Sequence, residues 1–435
     1  MSQVSLSGWG RYPVVPTELT LARSYDDVAA AVAAGPLTPR GLGRSYGDSS
    51  LGERTLDLTG LDHLIAFDDE TGVITCEAGV SLSAVLAVAL PRGWFLPVTP
   101  GTRFVTVGGA IASDVHGKNH HRDGSFSDHV TSLRLMLASG EIVTASRTEH
   151  ADLFHATCGG MGLTGVILEA TFTLRAVRSR MIEETVLKVP HLDAAIEAFE
   201  QHGDVTYSVA WIDLVATGAH LGRSLVMLGE HAADGELGQA SGPGLPVPVE
   251  MPARLLNRAT VTAFNALYYG RVRRPLTQHR IDYEPFFYPL DRLSDWNRLY
   301  GRRGFLQYQF VVPLEAGRAV LAEAVRLIAA SGLASPLAVL KVFGAGNDNL
   351  LSFPRPGYTL AVDVQTGPAA FALCDALDRL VIEAGGRLYL TKDSRMSAQT
   401  FAAGYDRIDE FARIRAQYGA TGVFVSEQAR RLGLA

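Results

Sequence analysis

Six polar or ionisable residues, Asp114, His116, Lys118, Asn119, His120 and His121, fall within eight positions, directly after the small-residue run Gly108-Gly109-Ala110-Ile111-Ala112-Ser113. Small residues opened by two glycines make a bed on which something flat can lie, because missing β-carbons let a ligand approach the main chain. A cation and imidazoles at the far end of such a bed can orient a hydroxyl and hold negative charge as it develops on oxygen. The apolar run Phe104–Val107 predicts a short strand ending at the glycine pair. The stretch reads as the wall of a buried cofactor site whose last residues face the chemistry. His116 and His120 stand four apart, but Gly117 spoils the helix that a two-histidine metal site requires, so no metal is expected.

Other candidates are spread along the chain. PRGLGRSYGDSS, residues 39–50, carries Gly41, Gly43 and Gly47 around Arg44, Ser45 and Tyr46. Glycines at this density offer consecutive main-chain N–H groups to an anion such as a diphosphate, or form a plain Gly-rich turn. Gly160, Gly162 and Gly165 match G-x-G-x-x-G by spacing, but a helix precedes them and β-rich sequence follows, the reverse of a dinucleotide fingerprint. In FLQYQFVV, residues 305–312, Gln307 and Gln309 share one face of a strand and suit several hydroxyls, or are edge amides in water. Lys392, in the segment TKDSR, is a candidate base or a surface lysine paired with Asp393.

The elements that position these residues are those of a well-packed globule. A chain of 435 residues, 47% hydrophobic and 19% charged, is too long for one ordinary core and predicts two domains. A net charge of −6 argues against nucleic-acid binding. Cys76, Cys158 and Cys374 are too few and too scattered for a disulfide framework or zinc site. The N-terminal residues MSQVSLSGWGRYP lack the order of a signal peptide, and no apolar run reaches spanning length, so a cytoplasmic enzyme is expected.

Periodicity predicts helices at 26–34, 81–90, 150–157, 191–202, 315–330 and 368–384, and strands at 73–78, 181–189, 207–214, 338–343, 358–364 and 387–392. A hairpin over 130–145 turns at Ser139-Gly140. Three short helices are expected at the C-terminus. The fold class is α+β, with an antiparallel sheet covered by helices after residue 179. Residues 229–252 are Gly/Pro/Ala-rich and predict a mobile loop. Residues 253–280 mix Leu255, Leu256, Phe264, Leu267 and Tyr268 with Arg271, Arg273, Arg274 and Arg280. They form either an amphipathic helix packed on the core or a segment that meets lipid phosphate.

At GLGRSYGD, PGTRFVTVGGAIASDVHGKNHH, GFLQYQF and TKDSR the chain resembles the flavin-dependent oxidases of the vanillyl-alcohol-oxidase type, and among them the decaprenylphosphoryl-β-D-ribose 2′-oxidase family. The resemblance runs nearly end to end. It implies a two-domain flavoprotein, with an FAD-binding domain at 1–179 and 387–435 and an inserted antiparallel-sheet substrate domain at 180–386. It implies oxidation of the 2′-hydroxyl of a polyprenylphosphoryl-β-D-ribose to the keto sugar, the first half of an epimerisation, with a short-chain keto-reductase as partner. The alternative is oxidation of a soluble sugar, alditol or sugar unit of a secondary metabolite. Peripheral membrane contact is a further expectation.

Residue by residue, the resemblance implies FAD contacts from Arg40, Gly41, Leu42, Gly43, Arg44, Ser45, Tyr46, Gly47 and Asp48. It adds Gly101, Thr106, Val107, Gly108 and Gly109, then His116, Gly117, Lys118 and Asn119, and finally Val166 and Tyr389. Many relatives attach flavin covalently through a histidine in the first loop; Tyr46 takes that place here, so noncovalent FAD is expected. Lys392 is implied as the base, with Lys118 second and His116 orienting sugar or flavin. Tyr46, Gln307, Gln309 and Lys341 are implied in the sugar pocket, with Trp211, Tyr288 and Phe343 as aromatic walls. Ala361 replaces the cysteine of inhibitor-sensitive members and Thr359 an asparagine. The hydride step needs no thiol, but the nucleophile that nitroaromatic inhibitors trap is gone.

Overall fold

A strand whose side chains alternate between two faces can serve a core and a site at once, and Phe305–Val312 does so. In the computed structural model, which describes residues 2–238, 244–252 and 255–435, it belongs to an eight-stranded sheet. The spatial order is Leu276–Asp282, Met181–Val189, Ser224–His231, Tyr207–Ile212, Ala338–Phe343, Gly357–Gln365, Phe305–Val312 and Arg387–Leu388. Every neighbouring pair is antiparallel. Leu306, Tyr308, Phe310 and Val312 face the helices Leu192–Gln201, Leu314–Ala330 and Pro368–Glu383 in one apolar cluster. Gln307 and Gln309 are left for the opposite face.

A four-stranded and a five-stranded sheet come from the first part of the chain, beside a two-stranded pairing of Trp94–Phe95 with Arg175–Ala176. One orders Ser2–Ser7, Val14–Leu21, Arg54–Asp57 and Thr38–Arg40; the other orders Leu64–Asp68, Val73–Glu77, Val166–Thr173, Val130–Met136 and Ile142–Ser146. The expected helices form because their ends are capped. Ser24 and Asp27 make a capping box for Tyr25–Ala33, and Ser81 Oγ accepts from Ala84 N at 3.1 Å to start Leu82–Ala89.

Four sequence expectations require correction. Phe104–Val107 is not a strand: Thr106 caps a helix, Val107–Ala112, its Oγ1 accepting from Gly109 N at 3.1 Å. The glycines therefore lie in a first helical turn, where Gly108 packs on Ala78 so closely that a Cβ would meet its methyl at 2.9 Å. The last strand stops at Leu388, and residues 390–392 form a turn, in which Lys392 N and Asp393 N both donate to Tyr389 O. The strand at 207 ends at Ile212, after which Asp213 folds back to accept from Val215 N at 3.0 Å. The expected loop at 229–252 begins inside the strand Ser224–His231, which pairs fully with Met181–Val189; residues 239–243 of it lie outside the described residues. The segment after it folds as the helix Arg258–Gly270, capped by Asn257, and the edge strand Leu276–Asp282.

The C-terminal helices Ala398–Gly404, Ile408–Gln417 and Glu427–Leu432 return to the first part of the chain through two arginines. Arg415 is buried and donates to Leu163 O at 2.9 Å and Phe424 O at 3.0 Å. Arg431 bridges Asp48 (3.0 and 2.8 Å) and Asp393 (2.8 Å), both carboxylates being buried. Arg431→Ala leaves two buried anions side by side, so it is expected to cost about 3 kcal/mol or more of stability. Urea unfolding followed by tryptophan fluorescence measures this, and a loss near zero would mean that the carboxylates do not depend on the bridge.

Candidate active site

The uncovered face of the large sheet and the helix Val107–Ala112 bound a cavity of about 1010 Å³, at the upper end of the range for small-molecule sites. Its lining begins at the loop Arg40–Tyr46. The main-chain amides of Gly41, Leu42, Gly43, Arg44 and Ser45 donate to no main-chain acceptor among the described residues, and Nε of Arg44 is buried without a partner. Gly43 adopts φ 63°, a conformation that favours glycine. The loop is tied down at its ends, Trp9 N donating to Ser45 O at 2.8 Å and Tyr46 N to Thr391 O at 3.0 Å. Free amides inside a fixed loop form an anion cradle. Gly101, Thr106, Gly108, Gly109, Gly117 and Tyr389 continue the lining.

Beyond that bed, basic and amide side chains converge from four separate segments. Lys392 Nζ lies 3.9 Å from the centre of the Tyr46 ring. Lys341 Nζ is 3.1 Å from Nδ1 of His116, whose Nε2 is 3.0 Å from Gln309 Nε2. Lys118 Nζ donates to Phe286 O and lies 4.2 Å from that ring's centre. All three lysines face the cavity rather than bulk water. Burial lowers Lys392 and Lys341 to about 7 and Lys118 to about 8. Asp363 opposes the shift at Lys392 and Glu184 that at Lys118, whereas the other two lysines depress Lys341 further. His116 is held well below its ordinary value by burial and then by Lys341, and is a neutral imidazole.

A neutral imidazole has one N–H and one lone pair, so the row Lys341–His116–Gln309 admits two proton arrangements. With Lys341 as an ammonium, it donates to Nδ1 and the Gln309 amide turns its oxygen toward Nε2–H. With Lys341 as an amine, Nδ1–H donates to Nζ and the Gln309 NH₂ donates to Nε2. Passing from the first state to the second releases one proton from the row and turns the Gln309 amide over. Ring contacts fix the imidazole sideways: Phe343 at 4.6 Å, Tyr389 at 5.4 Å and Phe353 at 5.9 Å between centroids.

The cavity brings together Arg40 to Tyr46, Gly101, Thr106, Gly108, Gly109, His116, Gly117, Lys118, Trp211, Gln307, Gln309, Lys341, Ala361, Tyr389 and Lys392. Other candidates stand outside its lining, each for a visible reason. Gly47 packs against Asp393 O, and Asp48 binds Arg431. Val107 and Tyr288 are in the apolar core, with the Tyr288 hydroxyl bound to Thr99 Oγ1 at 2.7 Å. Val166 belongs to a further core cluster. Asn119 Nδ2 donates to Pro97 O at 2.7 Å and braces the turn before it. Phe343 backs His116, and Thr359 Oγ1 accepts from Gln309 at 3.2 Å. Sequence reasoning missed Asp363, Glu184, Phe286 and Tyr300. Asp363 was reachable, because it lies two positions past Ala361 on the same face and opposite Gln307 in the register.

Residues 16–146 match the FAD binding domain family. Decaprenylphosphoryl-β-D-ribose oxidase of Mycolicibacterium smegmatis is 41% identical over 460 aligned residues, covering 99% of this chain and 97% of that protein. An uncharacterized protein of Streptomyces coelicolor is 35% identical over 82% of this chain and all of its own length. L-Gulono-1,4-lactone dehydrogenase of Mycobacterium tuberculosis is 24% identical over 90% of this chain and 89% of its own. Fold, site and relatives together define an FAD-dependent oxidoreductase. Within that class, the chain belongs to the decaprenylphosphoryl-β-D-ribose oxidase family.

The residues present fit the cofactor. The amides of 41–45 and the unpartnered Arg44 Nε suit its diphosphate, and the small-residue helix suits a flat ring. Gly41 lies so close to Thr106 that a Cβ would overlap Thr106 Oγ1, the atom that caps this helix. Gly41→Ala is therefore expected to lower the flavin-to-protein absorbance ratio of the purified protein severalfold. A fully yellow variant would remove the loop from cofactor binding.

Proposed function

We propose that this protein oxidises the 2′-hydroxyl of a polyprenylphosphoryl-β-D-ribose to the 2′-keto sugar, the first half of an epimerisation to the arabinose form. The observation that carries this reading is the convergence of Lys392, Lys341, Lys118, His116, Gln307 and Gln309 on one cavity. Near-complete alignment with a relative named for the ribose substrate supports it. FAD, when bound, supplies the acceptor for the hydride. This chain's residues do the rest. Lys392 takes the hydroxyl proton at Nζ, and its value of about 7 makes the amine available above neutrality. Lys341 and Lys118 offset negative charge on sugar and phosphate oxygens. Gln307 and Gln309 hold hydroxyls, His116 fixes Gln309, and Trp211 and Tyr46 wall the ring.

FAD is held noncovalently on this reading, Tyr46 standing in the loop without a nucleophilic nitrogen; acid precipitation should leave all flavin in the supernatant. Residues 1–179 with 387–435 would form the FAD-binding domain and 180–386 the substrate domain, in keeping with the family match at 16–146. The keto product passes to a short-chain reductase. Lys392→Ala is expected to keep its flavin bands and lose at least about a hundredfold in the rate of anaerobic bleaching by a prenylphosphoryl ribose. Rapid bleaching would remove Lys392 from the role. Wild-type protein that stays oxidised would shift the substrate to a soluble sugar.

The prenyl tail needs an apolar exit, and the cavity lining includes Leu255, Leu256, Val261 and Phe264 at the helix Arg258–Gly270. Phe264 (47%) and Leu267 (76%) are exposed on that helix, and Leu245, Val249, Leu276 and Leu293 are exposed nearby in the sequence. Arg271, Arg273 and Arg274 follow directly. An apolar face edged by arginine suits the surface of an anionic bilayer, although no helix among the described residues is long and apolar enough to cross one. The protein is expected to co-sediment with phosphatidylglycerol vesicles, and Phe264→Ser with Leu267→Ser to remain in the supernatant. Equal sedimentation of both would place any contact elsewhere.

A further inference from the structure

Asp363 has no part in the reading above, yet its surroundings are built. It is fully buried in the strand Gly357–Gln365, opposite Gln307. Oδ1 accepts from Gln307 Nε2 at 2.6 Å and Oδ2 from the Tyr300 hydroxyl at 3.1 Å. Both donors are neutral, so the hydrogen bonds place no opposite charge on the carboxylate. The cation that faces it is Lys392, and Asp363 is in turn the charged group that favours the Lys392 ammonium. The two form no direct ion pair among the described residues. Gln307, which donates to Asp363, lines the same cavity as Tyr46 and Lys392, and Lys392 Nζ sits over the Tyr46 ring.

We propose that Asp363 is a positioning residue that sets the proton affinity of Lys392, so that carboxylate and amine hold one proton between them until the substrate hydroxyl arrives. This rests on Lys392 as the proton acceptor. In the step it serves, the substrate O–H bond breaks and an N–H bond forms on Lys392, while the electron pair of the C–H bond leaves as hydride to bound FAD. Asp363 exchanges no atom with the substrate.

The electrostatics agree in sign. Burial raises Asp363 to about 7 and lowers Lys392 to the same region, so near neutrality the two titrate as a pair. The other titratable groups facing them are Tyr300 and Tyr46 at the carboxylate, and Lys341 and His116 at the amine. Both tyrosines are pushed well above their ordinary value by burial and stay neutral. His116 is neutral, and Lys341 opposes charging of Lys392. Asp363 is the single anion of the group. Without it, the Lys392 ammonium loses its support and the amine form extends to lower pH.

The test is the pH profile of anaerobic flavin bleaching by farnesylphosphoryl-β-D-ribose, with FAD-loaded protein. The wild-type rate should rise through about pH 7, an acid limb that Lys392→Ala abolishes. Asp363→Asn keeps the size of the side chain and removes the charge; its limb is expected about one unit lower. Tyr300→Phe withdraws one donor from the carboxylate and should move the limb the same way by less. A second readout needs no turnover: the pH at which Lys392 becomes reactive to acetic anhydride, read by mass spectrometry of the peptide, should fall in parallel. Slower bleaching with both limb and acetylation midpoint unmoved would overturn the proposal and leave Asp363 a packing residue. A wild-type profile without the limb would overturn the role of Lys392 itself. If Asp363→Asn fails to retain FAD, Tyr300→Phe and the acetylation midpoint decide.

Discussion

Lys392 reaches the sheet face only because position 47 has no side chain. The turn that follows the last strand lies directly on Gly47, where a Cβ would overlap Asp393 O. Tyr46 N donates to Thr391 O one residue away, and Asp48 shares Arg431 with Asp393. Two segments more than 340 positions apart are thereby held at van der Waals distance, with the anion cradle on one side of the contact and the amine on the other. The cation is indispensable to this junction, since two buried carboxylates so placed repel each other without it. Shifting the junction would move the cofactor bed and the reacting group relative to each other, and the Tyr389 hydroxyl, donating to Ser113 O at 2.9 Å, ties the same turn to the end of the small-residue helix.

Much of this was legible because regular elements announce themselves. The strand Met181–Val189 alternates as half-buried strands do, Gln307 and Gln309 mark period two in the buried strand Phe305–Val312, and the helices carry caps that sequence can show, such as Ser81. Two of the failures have identifiable causes. Phe104–Val107 has strand propensity, but the Thr106 hydroxyl oxygen accepts from the main-chain N–H three residues on, and a local cap with tertiary packing outweighs propensity. At Tyr389–Lys392, apolar and β-branched types persist while the backbone turns, because Gly47 supplies a docking surface that local pattern does not contain.

The site was legible in part for the same reason. Gln307 and Gln309 follow from period two, and Lys118 and His116 from their place after the small-residue bed. The resemblance implies Asn119 as a cofactor contact and Tyr288 and Phe343 as aromatic walls, but Tyr288 and Phe343 support the lining residues Thr99 and His116, and Asn119 braces the turn at Pro97. Polar types cannot by themselves separate a group that touches a ligand from one that holds such a group in place. Asp363 shows the converse: a lone aspartate in TLAVDV reads as a strand residue until the register sets it opposite Gln307.

The charge pattern of the site runs against that of the molecule. The chain carries a net −6, yet three lysines face one cavity, with Glu184 and Asp363 as the anions that act on them. Burial makes this arrangement tolerable: each amine is drawn toward neutrality, so mutual repulsion is relieved by releasing protons rather than by opening the structure. On the proposed reading, the same adjustability suits a substrate that brings its own anion. A phosphodiester entering the cavity raises the proton affinity of the nearest amines, converting them to the cations that hold it. Lys392 behaves differently from its neighbours because it alone looks toward Asp363. Asp363 supports the ammonium at Lys392 and Glu184 that at Lys118, whereas Lys341 is depressed by both neighbours, a division set by where two buried carboxylates of the sheet lie rather than by any difference among the lysines.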